Sequence, residues 1–424
     1  KFYKNIKFIF LTIMLFLFSL GLSHSAEMRT WTNLKGQQIK AQLVAVDGDY
    51  VLLRLANGRD SRIPRKTLSV GDQKFLEEYG GAEKIPIDPK AKITVPEKEM
   101  KFNSKTLIKR DDKFELPDGY SLQFDIVESE HFLVMSSGKV RGKDTAELAE
   151  RLWYGMNFQH PGFAEKWGDE KKAIFLCGEK TDYDILGKYY VDQLANSGRA
   201  QEASNSARTW PMSSGAGLSL DNDTCDKYDV MRGARAFRAD GKSNFQRGVW
   251  NPFPAHCIAQ DVLNVQMGGA GGGAGSDGYY AISTGHGYYK EIQLTDETVT
   301  SLLDANTYES DEVVKSGGFD DGKKWARTLR DLVKKEKVLP SLAGLYRVNR
   351  ASELTPELTV LMYGFARYMQ STPDRISKFS KVMERVDTSR SIPVPEEMAK
   401  LFGFETVKEF EDDWIAYLKS TAFK

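Results

Sequence analysis

The chain has 424 residues, of which 41% are hydrophobic and 28% charged, the balance of a globular protein with material for two or three folding units. Its 59 basic side chains match 59 acidic ones, so no electrostatic footprint for nucleic acid or an anionic membrane surface is present. The three cysteines, Cys177, Cys225 and Cys257, exclude a disulfide framework beyond one bridge, and without a C-x-x-C pair they exclude a zinc knuckle.

At the start, Lys1, Lys4 and Lys7 precede an apolar run from Phe8 to Leu22 and small residues up to Ala26. This reads as a signal peptide over residues 1–26, shorter than the roughly 20 apolar residues of a spanning helix. The expectation is an exported protein of the periplasm, cell surface or medium, with no membrane span in the mature chain.

Residues 27–79 alternate strand-like runs, "IKAQLVAV", "YVLLRLA" and "SRIPRKTL", with the turn signals Asp47-Gly48-Asp49 and Asn57-Gly58. Short strands at this spacing predict a small all-β barrel closed by a short helix around "DQKFLEEY", working through its surface. Arg29-Thr30-Trp31-Thr32, Gly36, the "VAVDGDYVLLRLANGR" hairpin, Ile63-Pro64 and the closing "LSVGDQKFL" resemble the first Sla homology domain, a Src-homology-3-like barrel. The resemblance implies a protein or peptide ligand. In the adaptor where that domain is best known the ligand carries Asn-Pro-Phe-x-Asp; this chain has Asn251-Pro252-Phe253 without the Asp, read as coincidence.

Residues 80–118 carry Gly80-Gly81, Pro86, Pro89 and Pro96 among many lysines and read as a linker. A second domain, 119–424, opens with "SLQFDIVES" and "HFLVMSSG" as paired strands. Next come a helix in "KDTAELAERLWYGMNF", a buried strand in "KKAIFLCG" and a helix in "TDYDILGKYYVDQLAN". From about residue 323 the pattern is helical, with starts at Thr355-Pro356 and Thr372-Pro373. The fold class expected is multidomain: the barrel, then an α+β domain with a mainly helical C-terminal part.

Ala255 to Ile292 holds the candidate chemistry. A zinc peptidase needs two imidazoles one helical turn apart, a Glu beside the first, and a third ligand from a second helix. Here the first helix reads His256-Cys257-Ile258-Ala259-Gln260 and the second Ile282-Ser283-Thr284-Gly285-His286-Gly287-Tyr288-Tyr289. With the leading hairpin and a tail from Phe410 to Trp414, this frame resembles the gluzincin-like, peptidase-MA superfamily over residues 120 to 420. The resemblance implies that His256 occupies the first zinc-ligand position, Cys257 the general base's, Gln260 the second imidazole's and Thr284 the carboxylate's. Gly285 and Tyr289 keep the pattern. A neutral amide and a hydroxyl are poor zinc ligands, so no zinc or other cofactor is expected, His256 being the one weak metal candidate.

The alternatives are a hydrolase with an unorthodox set of His256, Cys257 and His286, and a structural protein of the cell envelope. Adjacent helical residues do not face each other, which weighs against the thiol. The loop Gly268 to Gly278 follows a helix and lacks Gly-Lys-Ser/Thr, so it reads as a flexible loop or lid and not as a phosphate cradle. His131 and His160 are isolated in sequence, and Trp153, Trp167, Trp325 and Trp414 sit at core spacing. The reading is an exported pseudoenzyme: a peptide-binding module, and a peptidase-like domain whose relict cleft binds a polypeptide or envelope polymer.

Overall fold

The computed structural model describes residues 28–47, 50–56, 60–78, 102–117, 119–240, 245, 248–269, 277–298, 321–349 and 351–424. The chain divides into two units, residues 1–88 and 89–424. The expected leader over residues 1–26, residues 80–101 of the expected linker and most of the glycine-rich loop lie outside the described residues.

In the first unit, β1 (Arg29–Thr32), β2 (Gln38–Asp47), β3 (Tyr50–Leu55) and β4 (Asp60–Pro64) pair in chain order as an antiparallel meander. A register shift between Leu43 and Ala45 bends β2. A turn over Arg65–Thr67 leads into α1 (Val70–Glu78), and Trp31, Ala41, Val51, Leu53, Leu68 and Leu76 form the core. The closed all-β barrel expected from the sequence is not found among the described residues: β1 and β4 are the two edges of an open sheet, and α1 supplies part of the core. The reason is local. β4 ends at Pro64, which has no N–H to continue a ladder, and the returning chain meets β1 only through the bridge Asn33↔Leu68 and the bonds Leu34 N to Thr67 O and Ser69 N to Thr32 O.

The second unit is built on a six-stranded sheet in the order β5-β6-β7-β8-β10-β9. Its strands are β5 (Ile108–Glu115), β6 (Gln123–Glu128), β7 (Phe132–Ser136), β8 (Lys172–Cys177), β9 (Gly215–Ser219) and β10 (Gly233–Arg238). β7, β8 and β10 run parallel at the centre, and antiparallel strands flank them. Both faces of the central strands are covered, which is why β7 and β8 read as unbroken apolar runs. β5 corrects the assignment of residues 80–118 to a linker. Its charged run "IKRDDKFE" is an edge strand that pairs with β6 and buries only Phe114, the composition expected of an edge exposed to water.

Phe132, Val134, Ile174 and Leu176 point to the larger core, which packs against α2 (Gly142–Gln159), α3 (Phe163–Trp167) and the C-terminal helices. Leu133, Met135, Ala173, Phe175 and Cys177 point the other way, toward α4 (Lys180–Asn196), α5 (Ala200–Thr209) and α6 (Asn222–Tyr228). The remaining helices are α7 (Pro252–Gln266), α8 (Gly285–Thr295), α9 (Gly322–Lys334), α10 (Leu342–Tyr346), α11 (Pro356–Met369), α12 (Pro373–Ser389), α13 (Pro395–Leu401) and α14 (Val407–Lys419). Thr355 and Thr372 cap α11 and α12 ahead of a first-turn proline, and Thr406 with Glu409 forms a capping box on α14. Trp153, Trp167, Trp325 and Trp414 are all core residues. Fourteen α-helices and a six-stranded sheet are thus described, a mixed α/β protein, and no described helix is long and apolar enough to cross a membrane.

Candidate functional site

Asn251 starts α7: its Oδ1 accepts the Phe253 N–H at 2.9 Å, and Pro252 takes the first helical position. Asn251-Pro252-Phe253 therefore has a local structural role, and Phe253 packs edge-on against Phe237. A π-helical turn, Tyr280–Thr284, precedes α8. α8 lies directly against α7 and α11. Small residues permit this: a Cβ on Gly285 would stand 2.5 Å from the Met362 carbonyl oxygen, and one on Gly287 would stand 2.7 Å from Cε1 and Nε2 of His256.

The helical segments bearing His256 and Thr284 thus pack directly against each other. Gln260 Nε2 donates a long bond, 3.5 Å, to Thr284 Oγ1. His256 is buried; its Nδ1 is 3.0 Å from Glu291 Oε2, its ring meets Tyr288 edge-on, and its Nε2 has no hydrogen-bond partner. Gly287 covers the tip of the ring. Glu291 is fully buried and also accepts from Thr298 Oγ1. It was absent from the sequence-based set, although a Glu one turn after Gly287 on an otherwise aromatic helix face is a signal for it.

Cys257 is brought to neither histidine by a hydrogen bond. Burial is the chief influence on its thiol, which is pushed up to about 12 despite nearby Arg235, so at neutral pH it is a thiol and not a nucleophilic thiolate. Arg235 itself is paired with Asp261 on the next turn of α7. Tyr289 lies roughly 200° around α8 from Glu291 and opens into a separate cavity.

A second polar cluster holds His286, a member of the unorthodox set considered above, together with partners from distant segments. His160, isolated in sequence, is fully buried, with Nδ1 2.7 Å from Ser380 Oγ of α12. His286, also fully buried, has Nδ1 3.2 Å from Gln370 Nε2, and Lys290 Nζ donates to Gln159 Oε1 at 3.4 Å. His160 Nε2, His286 Nε2, Gln159 Nε2 and Gln370 Oε1 lack hydrogen-bond partners. Burial, then the Lys290 charge, pushes His160 down to about 3. The same causes, in the same order and joined by His160 and His256, hold His286 well below the ordinary imidazole value. Both rings are therefore neutral at physiological pH. His131, the other isolated histidine, stacks on Trp153 with ring centroids 3.4 Å apart and bonds Glu150.

An open cavity of the second unit lies elsewhere. It encloses about 400 Å³ between α8, α9, α11 and α14, with Tyr289, Ile292, Tyr363, Arg367, Gln370 and Tyr417 in its walls. Among the described residues no three of His, Cys, Asp and Glu are arranged to hold a metal ion. Neither family models, nor curated proteins, nor solved structures give a match to this chain.

Proposed function

We propose that the protein is an exported binding protein, in which residues 27–79 serve as a Sla-type module for a protein or peptide ligand and the second unit is a gluzincin-like frame that binds a polypeptide without cutting it. Export rests on the leader read in residues 1–26, and the two likenesses rest on the motifs quoted above. The observation that carries the loss of chemistry is the packing of His256. An imidazole held between Glu291 and Gly287, with Gln260 and Thr284 side by side beyond it, has no route to a substrate, and general-base chemistry requires hydrogen-bond reach of the reacting proton.

The test is metal analysis of the purified full chain together with cleavage of a broad peptide library, alongside capture of library peptides by the same chain. Expected are retained peptides, no stoichiometric zinc and no cleavage. Zinc at one equivalent with cleavage abolished in His256→Ala would overturn the reading. The raised Cys257 thiol weighs against the cysteine alternative, which predicts an activity lost on alkylation.

A further inference from the structure

We propose that the cavity between α8, α9, α11 and α14 is a carboxylate pocket built on Arg367, which takes the acid end of a ligand with an apolar or aromatic body. On the reading of the second unit as a polypeptide binder, on which this clause alone rests, that ligand end is the C-terminal residue of a bound chain.

Arg367 is the reason. Its guanidinium is half-buried, donates to Tyr363 Oη at 2.9 Å and stands 5.0 Å from the Phe423 ring centroid. Other half-buried arginines have carboxylates, Arg375 with Asp413, Arg385 with Glu397 and Arg235 with Asp261, while Arg330 donates to the Phe423 carbonyl oxygen at 3.1 Å. Among the described residues no carboxylate forms an ion pair with Arg367. Drawing a cation partly out of water without a counter-charge is costly, and a ligand carboxylate would supply one in the bidentate geometry a guanidinium favours. Burial works against the charge and the oxygens of Tyr363, Tyr417 and Tyr289 for it, the net effect being upward, so the group stays cationic.

The remaining walls fit the rest of such a ligand. Ile292, Ala326 and the tyrosine rings give an apolar lining. Gln370 is fully buried, and its Nε2 is spent on His286 Nδ1 and Ala366 O while Oε1 has no partner. The volume of about 400 Å³ is that of a small-ligand site. A carboxylate suits the charge better than a phosphate monoester, which brings about −1.5 to −2. Of the exposed lysines that also line the cavity, Lys323 is already paired with Asp296 at 3.6 Å. The pocket is distinct from the His256 site, because the face of α8 carrying Tyr289 and Gln293 points away from that carrying Gly287 and Glu291.

The experiment is calorimetric titration of the full chain with benzoate, with neutral benzamide, and with acetyl-Leu-Phe as the free acid and as its C-terminal amide. Benzoate and the peptide acid are expected to bind and the two neutral probes to bind at least 10-fold more weakly. Arg367→Met should lower the affinity for the acids at least 10-fold, and Arg367→Lys by a smaller factor. Because the Met variant has to fold to be informative, benzoate protection of Arg367 from phenylglyoxal, read by mass spectrometry on the unaltered protein, is the second measurement. Arg367-dependent binding of benzoate but not of peptide supports the pocket and removes the polypeptide reading for it. Peptides that bind equally as acid and amide, unaffected at Arg367, leave the polypeptide reading standing and overturn the pocket. No acid binding at millimolar concentration, or no protection, overturns it as well.

Discussion

Replacing Gly287 by alanine tests whether the tip of the His256 ring is closed off by α8. Alanine is favoured over glycine inside a helix by about 1 kcal/mol, so an unobstructed site would be stabilised. Here the new Cβ would stand 2.7 Å from Nε2, and ordinary contact begins at 3.4 Å, so the ring would have to retreat by about 0.7 Å. It has nowhere cheap to go, being held by Glu291 at 3.0 Å and flanked by Tyr288. A shift of that size breaks the buried bond, at a cost of about 1.5–3 kcal/mol for a bond to a charged group. The net expectation for Gly287→Ala is a loss of about 0.5–2 kcal/mol. In a His256→Ala background the obstruction is gone and the same change should stabilise by about 1 kcal/mol, giving a coupling of about 1.5–3 kcal/mol in the double-mutant cycle. Urea unfolding of the four proteins measures it. Additive effects would show that His256 is not locked against Gly287, and the argument for an enclosed, inactive imidazole would fall with it.

Acid should destabilise the second unit through His160 and His286, whose folded values lie below the 6.5 of the free side chain. Above pH 6.5 the contribution is fully present; below it the unfolded chain takes up protons that the folded one refuses, down to about 3 for His160. For His160 this is a loss on the order of 1 kcal/mol at pH 5.5. The urea midpoint should therefore fall between pH 7.5 and 5.5 by more in the parent than in His160→Gln, and equal slopes would contradict the buried neutral ring. In the first unit, Asp72 accepts from Arg29, from the Thr32 N–H at 2.7 Å and from Ser69 Oγ at 3.0 Å. Asp72→Ala strands all three donors and, with Arg29 partly solvated, should cost about 2–3 kcal/mol, read as a loss of amide-exchange protection over residues 29–78 with none over 119–240; unchanged protection would refute the assigned role.

Local physics was legible in the residues alone. The 3.6-residue stripe and the Thr-Pro starts located α11 and α12, and the apolar runs located β6, β7 and β8, because helix caps and strand burial are written within a few positions. That α7 and α8 pack on each other was implied by the resemblance and not by residue spacing, since Gln260 and Thr284 lie 24 positions apart on separate elements. What the tertiary structure alone decided were contacts between distant segments. β5 hid in a charged run because an edge strand needs few apolar side chains, and β9 hid in "GAGLS" because its place is set by pairing with β10 and not by its own propensity. His160 finds Ser380 across 220 positions and His256 finds Glu291 across 35, so neither pair leaves a local pattern. The same holds for Arg367. On its own helix it is one polar residue in an apolar row, and only the packing of α8, α9 and α14 around it makes a cavity whose half-buried cation forms no ion pair among the described residues.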